Sequence, residues 1–479
     1  MKNFIYYRNI DGYPVDEYYR PGQYYPEYKY GNLGLSKTPN DVYDMIRELF
    51  IELELDKEHI GTKEWSPLSE YIALNDTVLV KPNLVKHINE AIRGKRGLEC
   101  LITNPSVIRC IIDYVLIALN NTGRIIVGDA PVQSCDFQKL KKDAGIIRLE
   151  EFYKNAGEFI NFVDLRNYRS KRINGNVIEV KLPTHYKGKV INLGKESYFY
   201  NDSSEGKLRI TNYDYRIVNS HHTGERNEYC ISEACLAADV IINLPKPKTH
   251  RKAGYTGALK NMVGVNCMKD YLPHHTKGAF VTNKGDEYYF NTKFSQIKSD
   301  ICDVTDILDK KKLYKMSSWI KNLAGLYLKG KKDKEKYSEG SWWGNNTIWK
   351  TILDLNTIVL YADKNGKMKK TEQRKVITIG DMIVAGEKEG PLLPLPIKTN
   401  TILFADNSVL FDKILVRFMG FQTDKFILLR EAEKNIRLYK IDENECRVLS
   451  NYGVLNSDLQ MFKGLYKFNP SFGWKEYIG

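Results

Sequence analysis

The chain has little of what a membrane-spanning or secreted protein needs. No apolar run approaches the roughly twenty residues that cross a bilayer, and the longest candidate, Val107 to Leu119, contains Arg109 and Asp113. The start, Met1 to Arg8, lacks an apolar core of signal-peptide length and leads into polar, tyrosine-rich sequence. The sequence therefore predicts no transmembrane segment and favours a cytoplasmic protein.

Closely spaced cysteine pairs are also absent. No two of the eight cysteines form a Cys-x-x-Cys pair; they are Cys100, Cys110, Cys135, Cys230, Cys235, Cys267, Cys302 and Cys446. This spacing argues against a zinc ribbon and makes an iron–sulfur cluster an unlikely cofactor. We expect reduced thiols in the core.

The sequence carries no helix-turn-helix, zinc-finger or ribonucleoprotein motif. Its charge is nevertheless positive, with 72 Lys and Arg against 59 Asp and Glu and a net charge of +13. Such a balance favours anionic partners: phosphorylated metabolites, acidic glycans, nucleic acid or a membrane surface. Because the lysines are spread through predicted loops, nucleic acid is the disfavoured partner, and the charge does not choose among the others.

Three short apolar runs read as strands buried on both faces, the pattern of a parallel sheet. They are Thr77–Lys81, Arg124–Gly128 and Asp239–Leu244. Between the first two, Asn104 and Pro105 open a predicted helix with a wide apolar face. Strand, helix and strand in this order form a βαβ unit. We predict an α/β fold, a mostly parallel sheet flanked by helices, with the three carboxyl ends at one cleft.

The chain is long enough for one large α/β domain with added segments. We predict a lead-in segment over 1–75 with one helix near 39–53, a core over 76–435, and a C-terminal extension over 436–479. Within the core we expect a β-rich insertion at 150–235, including a strand at Arg216–Val218, and a helical insertion at 270–350.

Basic and amide residues follow two of the predicted strands. Lys246, Lys248 and His250 come after the strand at 239–244, and Lys81 and Asn83 come at the end of the strand at 77–81. A glycine-containing loop and a predicted helix from Thr256, carrying Lys260 and Asn261, follow. Since open α/β sheets bind ligands at their carboxyl edge, these groups and the helix N-terminus could converge on one anion. The alternative is a solvated basic loop.

Acidic residues also follow predicted strands. Asp129 ends the strand at 124–128, where it could be a metal ligand, a hydroxyl-binding carboxylate or a loop cap. Glu387 and Glu389 fall in a predicted tight loop bounded by glycines, and Asp381 and Asp406 follow strand-like runs. Hard oxygen ligands of this kind would favour Mg²⁺, Mn²⁺ or Ca²⁺. The alternative is a solvated acidic turn.

Two further features carry expectations from residue type alone. Asp412 lies in an otherwise apolar predicted helix, where a single acid is expected to face solvent. The segment Ser341–Lys350 contains three tryptophans with glycine and amides, which suits either a sugar-stacking platform or core packing of large aromatic rings.

Seven motifs occur in a fixed order: Val80–Val85, Thr103–Val107, Val127–Pro131, Ala238–His250, Gly257–Gly264, Ala385–Pro391 and Ala405–Val409. In these motifs the chain resembles the bacterial and archaeal family called domain of unknown function 362, over roughly residues 75–435. Some members carry ferredoxin-like cysteines, which this chain lacks, so the resemblance implies fold and site location without an iron–sulfur role. The segments Trp342–Trp349 and Asn469–Trp474 resemble a long subgroup associated with polysaccharide biosynthesis, which implies a glycan-related substrate.

Two classes of function remain open. The first is an enzyme acting on a phosphate- or carboxylate-bearing, or glycan-linked, substrate. Its catalytic residues would be His250, Lys248 and Asp129, with His250 as general acid or base. Its substrate-binding residues would be Lys81, Asn83, Lys246, Lys260 and Asn261, and a divalent metal such as Mg²⁺ would use Glu387, Glu389, Asp381 and Asp406. The second is a non-catalytic anion- or glycan-binding protein. A further alternative is a cofactor-dependent isomerase or redox enzyme, loosely similar to the nickel-pincer racemases.

Overall fold

The computed structural model describes residues 1–173, 176–329, 335–440, 446–452, 457–459, 462 and 464–478. The α-helices are α1 (Asp41–Glu52), α2 (Lys95–Glu99), α3 (Pro105–Leu119), α4 (Phe137–Ala144), α5 (Ile146–Asn155), α6 (Tyr215–His221), α7 (Glu233–Leu236), α8 (Ala258–Asn261), α9 (Lys293–Lys310), α10 (Tyr314–Leu328), α11 (Ile348–Tyr361), α12 (Ser408–Phe418), α13 (Ile427–Lys434) and α14 (Lys475–Ile478). Short 3₁₀ helices lie at Gly31–Gly34, Lys57–His59, Pro67–Glu70, Gly194–Glu196, Met262–Val265, Lys269–Tyr271, Phe280–Thr282, Thr423–Lys425 and Phe472–Trp474.

The strands are β1 (Asn3–Tyr7), β2 (Thr77–Pro82), β3 (Arg124–Asp129), β4 (Ile160–Asp164), β5 (Tyr168–Ile173), β6 (Asn176–Lys181), β7 (Gly188–Asn192), β8 (Leu208–Arg209), β9 (His222–Thr223), β10 (Arg226–Ser232), β11 (Val240–Leu244), β12 (Lys248–His250), β13 (Gly254–Thr256), β14 (His275–Thr276), β15 (Lys375–Glu389), β16 (Leu393–Ala405), β17 (Arg447–Val448) and β18 (Ser457–Asp458).

A large sheet forms the centre of the molecule, in the order β1-β16-β15-β11-β2-β3-β4. The pairs from β15 to β4 are parallel, whereas β16 is antiparallel to both β15 and β1. Strand β12 adds to the carboxyl end of β15 and pairs with β13. The predicted α/β fold with a mostly parallel sheet is confirmed.

The central strands are apolar because both faces of the sheet are covered. Val78, Val80 and Ile242 pack in one layer with α1 and α3, and Leu79 and Ile241 pack in the opposite layer with α11. Helix α3 begins where the sequence predicts, since the Asn104 side chain accepts a hydrogen bond from the backbone N–H of Ser106 and Pro105 occupies the first turn. The predicted βαβ unit of β2, α3 and β3 is therefore present.

The added segments differ in part from expectation. Within 150–235, β4 joins the central sheet beside β3, and within 1–75, β1 forms its opposite edge. Residues 216–218 were predicted as a strand, but they form part of helix α6, because Asp214 caps the N-terminus by accepting from the N–H of Arg216. The segment 270–350 contains the paired helices α9 and α10. Among the residues that the structure describes, no helix is both long and apolar enough to cross a membrane.

Candidate functional site

The carboxyl ends of β2, β3 and β11 meet at one edge of the sheet, as predicted. Lys81 stands opposite Asn243 in the register of β2 and β11, and β3 ends beside them at Asp129. Chain segments leaving this edge carry Lys246 and Lys248. The basic residues at 248–250, expected in a loop, lie in β12, a short strand held by β13 and β15. We call this edge of the sheet, with Lys81, Asp129, Lys246 and Lys248, the lysine site.

The first part of the lysine site is a buried ion pair. The Nζ of Lys81 lies 2.7 Å from Oδ1 of Asp129 and also donates to the side-chain oxygen of Asn261 at 3.2 Å. Both charged side chains are almost fully buried. Burial lowers the pKa of Lys81, while the charge of Asp129 opposes that shift. A Cβ at Gly264 would lie 1.9 Å from Oδ1 of Asp129, so only glycine fits beside this pair.

A second buried ion pair lies on the other side of β11. The Nζ of Lys246 is 2.9 Å from Oδ2 of Asp381, and the Tyr13 hydroxyl donates to Oδ1 of the same carboxylate at 2.6 Å. The backbone N–H of Asn104 donates to Oδ2 at 2.8 Å. Burial lowers the pKa of Lys246. Asp381, predicted as a metal ligand, is thus a buried partner of Lys246.

Lys248 is buried without a carboxylate partner in the described part of the chain. Its Nζ donates to the side-chain oxygen of Asn83 at 2.9 Å, and Asn83 in turn donates to Asn261 at 2.8 Å. Burial, reinforced by the positive charge of Lys246, lowers the pKa of Lys248 to about 7. Near neutral pH this amine can therefore exchange a proton.

Among the described lysines of the site, Lys260 has the fewest polar contacts. Its ammonium group makes no hydrogen bond or ion pair within the described residues, and the side chain is partly exposed. Burial and the charges of Lys81 and Lys252 lower its pKa to about 8. Lys252 and Lys269 nearby also have pKa values lowered to about 8, and both bond to backbone oxygens.

His250 is held as a neutral ring. Its Nδ1 accepts hydrogen bonds from the backbone N–H groups of Lys252 and Ala253 at 3.0 and 3.1 Å. A neutral imidazole that accepts at Nδ1 carries its proton on Nε2. Burial, and then the charge of Lys260, keep the pKa of His250 well below its usual value. This state suits donation of a hydrogen bond to a ligand oxygen better than proton abstraction.

The predicted acidic loop is wrong. Glu387 and Glu389 lie on β15, which runs on to residue 389, and the chain turns only after them. Glu387 accepts from the backbone N–H of Asn469 at 2.9 Å, and Glu389 accepts from the N–H of Phe472 at 2.6 Å. These two carboxylates attach the C-terminal segment to the sheet.

The four acids predicted to bind metal are not close together. Asp381 and Glu387 are separated by about 20 Å along β15, at roughly 3.3 Å per residue. Asp406 lies near the other end of the β15–β16 pair, where it accepts from the N–H of Lys2 and lines a separate cavity of about 330 Å³. Within the described ranges, no three His, Cys, Asp or Glu side chains are grouped to hold a metal ion. The residues present do not fit the predicted metal site.

Asp412, expected to face solvent, is fully buried. Its carboxylate accepts from the N–H groups of Ala258 and Leu259, at 2.6 and 3.2 Å, and from the Tyr255 hydroxyl at 3.0 Å. Burial raises its pKa to about 7. The helix predicted from Thr256 is only the four-residue α8, and Asp412 occupies the N–H groups that were expected to bind an anion.

The tryptophan segment is part of the core. Trp342 is fully buried, donates through Nε1 to the carbonyl of Asp286 at 2.9 Å, and packs against Phe280 and Trp343. Trp349 is also buried. Of the two interpretations of this segment, core packing is the one that the structure supports, because Trp342 has no exposed face on which a sugar could stack.

Several residues of the lysine site could not be identified from local patterns. Tyr13 lies 368 residues from Asp381 in the chain, and no spacing links them. Thr103, Lys269 and Asp412 likewise reach the site from separate elements. Gly264 could have been identified from the sequence, because it ends the motif Gly257–Gly264.

Residues 200–417 match the family model described as Domain of unknown function (DUF362). The predicted resemblance is confirmed over that range, which contains Lys246, Lys248, His250, Asp381 and Asp412. The motifs that hold Lys81 and Asp129 precede the DUF362 match. Comparison with curated proteins and with solved structures finds no match.

Proposed function

We propose that this DUF362 protein is an enzyme that binds a phosphate- or carboxylate-bearing substrate at the lysine site. A glycan-linked substrate and a cytoplasmic location, both predicted from the sequence, are part of the proposal. We assign no role in nucleic-acid binding. The substrate anion would lie among Lys248, Lys260 and His250, at the carboxyl edge of the sheet.

The supporting observation is an excess of buried or partly buried lysines over carboxylates. Six lysines gather at this edge: Lys81, Lys246, Lys248, Lys252, Lys260 and Lys269. Only two carboxylates, Asp129 and Asp381, are paired with them in the described residues. A buried cation without a counter-ion is costly. An anionic ligand would supply the missing negative charge.

The two paired lysines and the two unpaired lysines suit different roles. Lys81 and Lys246 are neutralised by their carboxylates and would shape the site. Lys248 and Lys260, with pKa values of about 7 and 8, are free to respond to a ligand. A bound anion favours their charged forms, so binding near pH 7.5 should take up protons from solution. Before an anion binds, Lys248 with its pKa of about 7 is partly deprotonated and suits the role of a general base.

A non-catalytic anion-binding protein is the second candidate. Both buried carboxylates of the site are already engaged by lysines, and His250 is held neutral, so few groups remain to transfer protons. This arrangement is the observation that supports the second candidate. The enzyme and the binding protein would bind the same class of anion, but only the enzyme would convert it to a product.

Calorimetry with sulfate tests the anion site, because sulfate resembles phosphate but does not titrate near neutral pH. Measured at pH 7.5 in two buffers of different ionisation enthalpy, the heat gives the number of protons taken up. We expect net uptake in wild type, less uptake in Lys248→Met, and unchanged uptake in Lys63→Gln, a matched change at an exposed lysine. Absence of sulfate binding, or binding without proton uptake, would contradict the proposal.

Mass spectrometry of the native protein distinguishes enzyme from binding protein. An enzyme should convert sugar phosphates or related anions that copurify with it, and Lys248→Met should lose that conversion while Lys63→Gln retains it. The ratio kcat/KM, which reports the ligand-free protein, should fall as pH drops below about 7, where Lys248 becomes protonated. Tight binding of a copurified anion without conversion would favour the non-catalytic candidate.

A further inference from the structure

Helix α10 exposes a stripe of large apolar side chains. Met316, Trp319, Leu323 and Leu326 are 54%, 64%, 45% and 69% exposed. Their spacing of three and four residues places them on one face of the helix. Exposed apolar side chains grouped in this way mark an interaction surface more often than scattered ones do. We call these four residues the α10 stripe.

The stripe is exposed because another face of α10 holds the helix against the protein. Ser317 is buried and donates to the carbonyl of Thr305 in α9 at 3.4 Å, and Ile320 and Ala324 are partly buried on the same side. Lys321 forms an ion pair with Asp309 of α9 at 2.8 Å. The helix is thus fixed by its contacts with α9, and the stripe lies beside that contact, open to solvent.

The segment of sequence that contains α10 is rich in lysine. Residues 310–336 contain ten lysines and two acidic residues, and Lys310, Lys321 and Lys336 are paired with carboxylates. Lys311, Lys312, Lys315 and Lys329 are exposed at the two ends of α10. A basic helix with an apolar face and an exposed tryptophan has the chemistry of a helix that lies in the interface of an anionic bilayer. Tryptophan in particular suits the boundary between headgroups and acyl chains.

We propose that the α10 stripe docks this protein on an anionic lipid bilayer, with α10 parallel to the membrane plane. The stripe would enter the interface, and the lysines would contact lipid phosphates. We choose an anionic bilayer as the partner because its negative charge is complementary to the positive charge of these lysines. A second copy of the chain would have to bring the same lysine-rich segment against itself in a symmetric contact, and like charges would repel. The proposal does not depend on the function of the lysine site.

Vesicle flotation of the full chain tests the proposal. We expect binding to vesicles of phosphatidylcholine with phosphatidylglycerol, little binding to phosphatidylcholine alone, and weaker binding at high salt. Quenching of tryptophan fluorescence by brominated lipids should occur in wild type and be largely lost in Trp319→Phe. Of the five other tryptophans, Trp65, Trp342, Trp349 and Trp474 are buried and Trp343 is half-buried, so they should contribute little.

Matched variants distinguish insertion of the α10 stripe from nonspecific hydrophobic binding. The double variant Trp319→Ser/Leu326→Ser should bind phosphatidylglycerol vesicles at least about tenfold more weakly, because it removes two large inserting side chains. Phe159→Ser, a change at an apolar residue that is 95% exposed elsewhere on the surface, should bind like wild type. Since all three positions are exposed, the thermal midpoints of both variants should match that of wild type.

Four outcomes would overturn the proposal. They are no binding to anionic vesicles, equal binding to neutral vesicles, equal loss in Phe159→Ser, and unchanged binding in the double variant. If anionic vesicles fail, sedimentation equilibrium would ask whether the stripe joins two copies, since a dimer lost in the double variant would assign it to self-association.

Discussion

The lysine site and the carboxyl end of β15 look alike in the sequence, because in both places charged residues follow an apolar run. In the folded chain they differ in burial. Lys81 and Lys246 are inaccessible to solvent and paired with buried carboxylates, whereas Glu387 and Glu389 bond to the backbone of the C-terminal segment. The comparison teaches that a charge at a strand end becomes a site only where several elements bury it together.

The largest expected difference between the two regions is in stability. Asp129→Asn would leave Lys81 buried without its counter-ion and should lower the free energy of unfolding by ~3–5 kcal/mol. Urea unfolding at pH 7 measures the loss. The corresponding change in the other region, Glu389→Gln, should cost less than about 1 kcal/mol, since its partner is a single N–H near the surface. Equal losses of unfolding free energy in Asp129→Asn and Glu389→Gln would contradict this difference between the two regions.

The second difference concerns anion binding. Lys260→Gln should weaken sulfate binding by roughly 1.5–3 kcal/mol, the range for hydrogen bonds to charged groups. Folding should change little, because the Lys260 ammonium makes no hydrogen bond in the described part of the chain. Calorimetric titration gives the affinity, and Glu389→Gln is its control. If both variants bind sulfate as wild type does, Lys260 does not contact the anion.

The third difference appears in the pH dependence of stability. The pKa of Lys248 is lowered from 10.5 to about 7 in the folded chain, so between these values the unfolded chain binds more protons. Stability should therefore rise with pH across this window. Lys248→Met should remove part of that rise, on the order of 2 kcal/mol between pH 7 and 9. Urea unfolding of both proteins over this pH range, with Lys63→Gln as control, measures the difference. An identical pH dependence in wild type and Lys248→Met would contradict a lowered pKa.

The smallest effect is expected at the predicted metal residues. Glu387→Gln should give the same heats as wild type when metal-free protein is titrated with Mg²⁺, because Glu387 is engaged with Asn469 and is about 20 Å from Asp381. A heat present in wild type and lost in this variant would restore the metal role of Glu387.

Much of the fold could be predicted from local pattern. β2, β3 and β11 are short apolar runs, and α3 begins with a cap and a proline, so each element is marked within its own residues. The meeting of Lys81, Asp129 and Lys246 at one edge followed from the parallel arrangement. Asp412 was mispredicted because its partners lie more than 150 residues away, and the periodicity of α12 does not reveal which side chain another element will bury.

By itself the sequence determined the central parallel strands β2, β3 and β11, the residue types at their ends and the positive net charge, because these depend on neighbouring residues and composition. Only the tertiary structure decided which charges are buried and with what partners. It made Asp381 the partner of Lys246 and Tyr13, left Lys248 and Lys260 without carboxylates in the described residues, and left the α10 stripe uncovered. Burial and pairing arise when distant segments pack, and they set the pKa values on which the proposed chemistry depends.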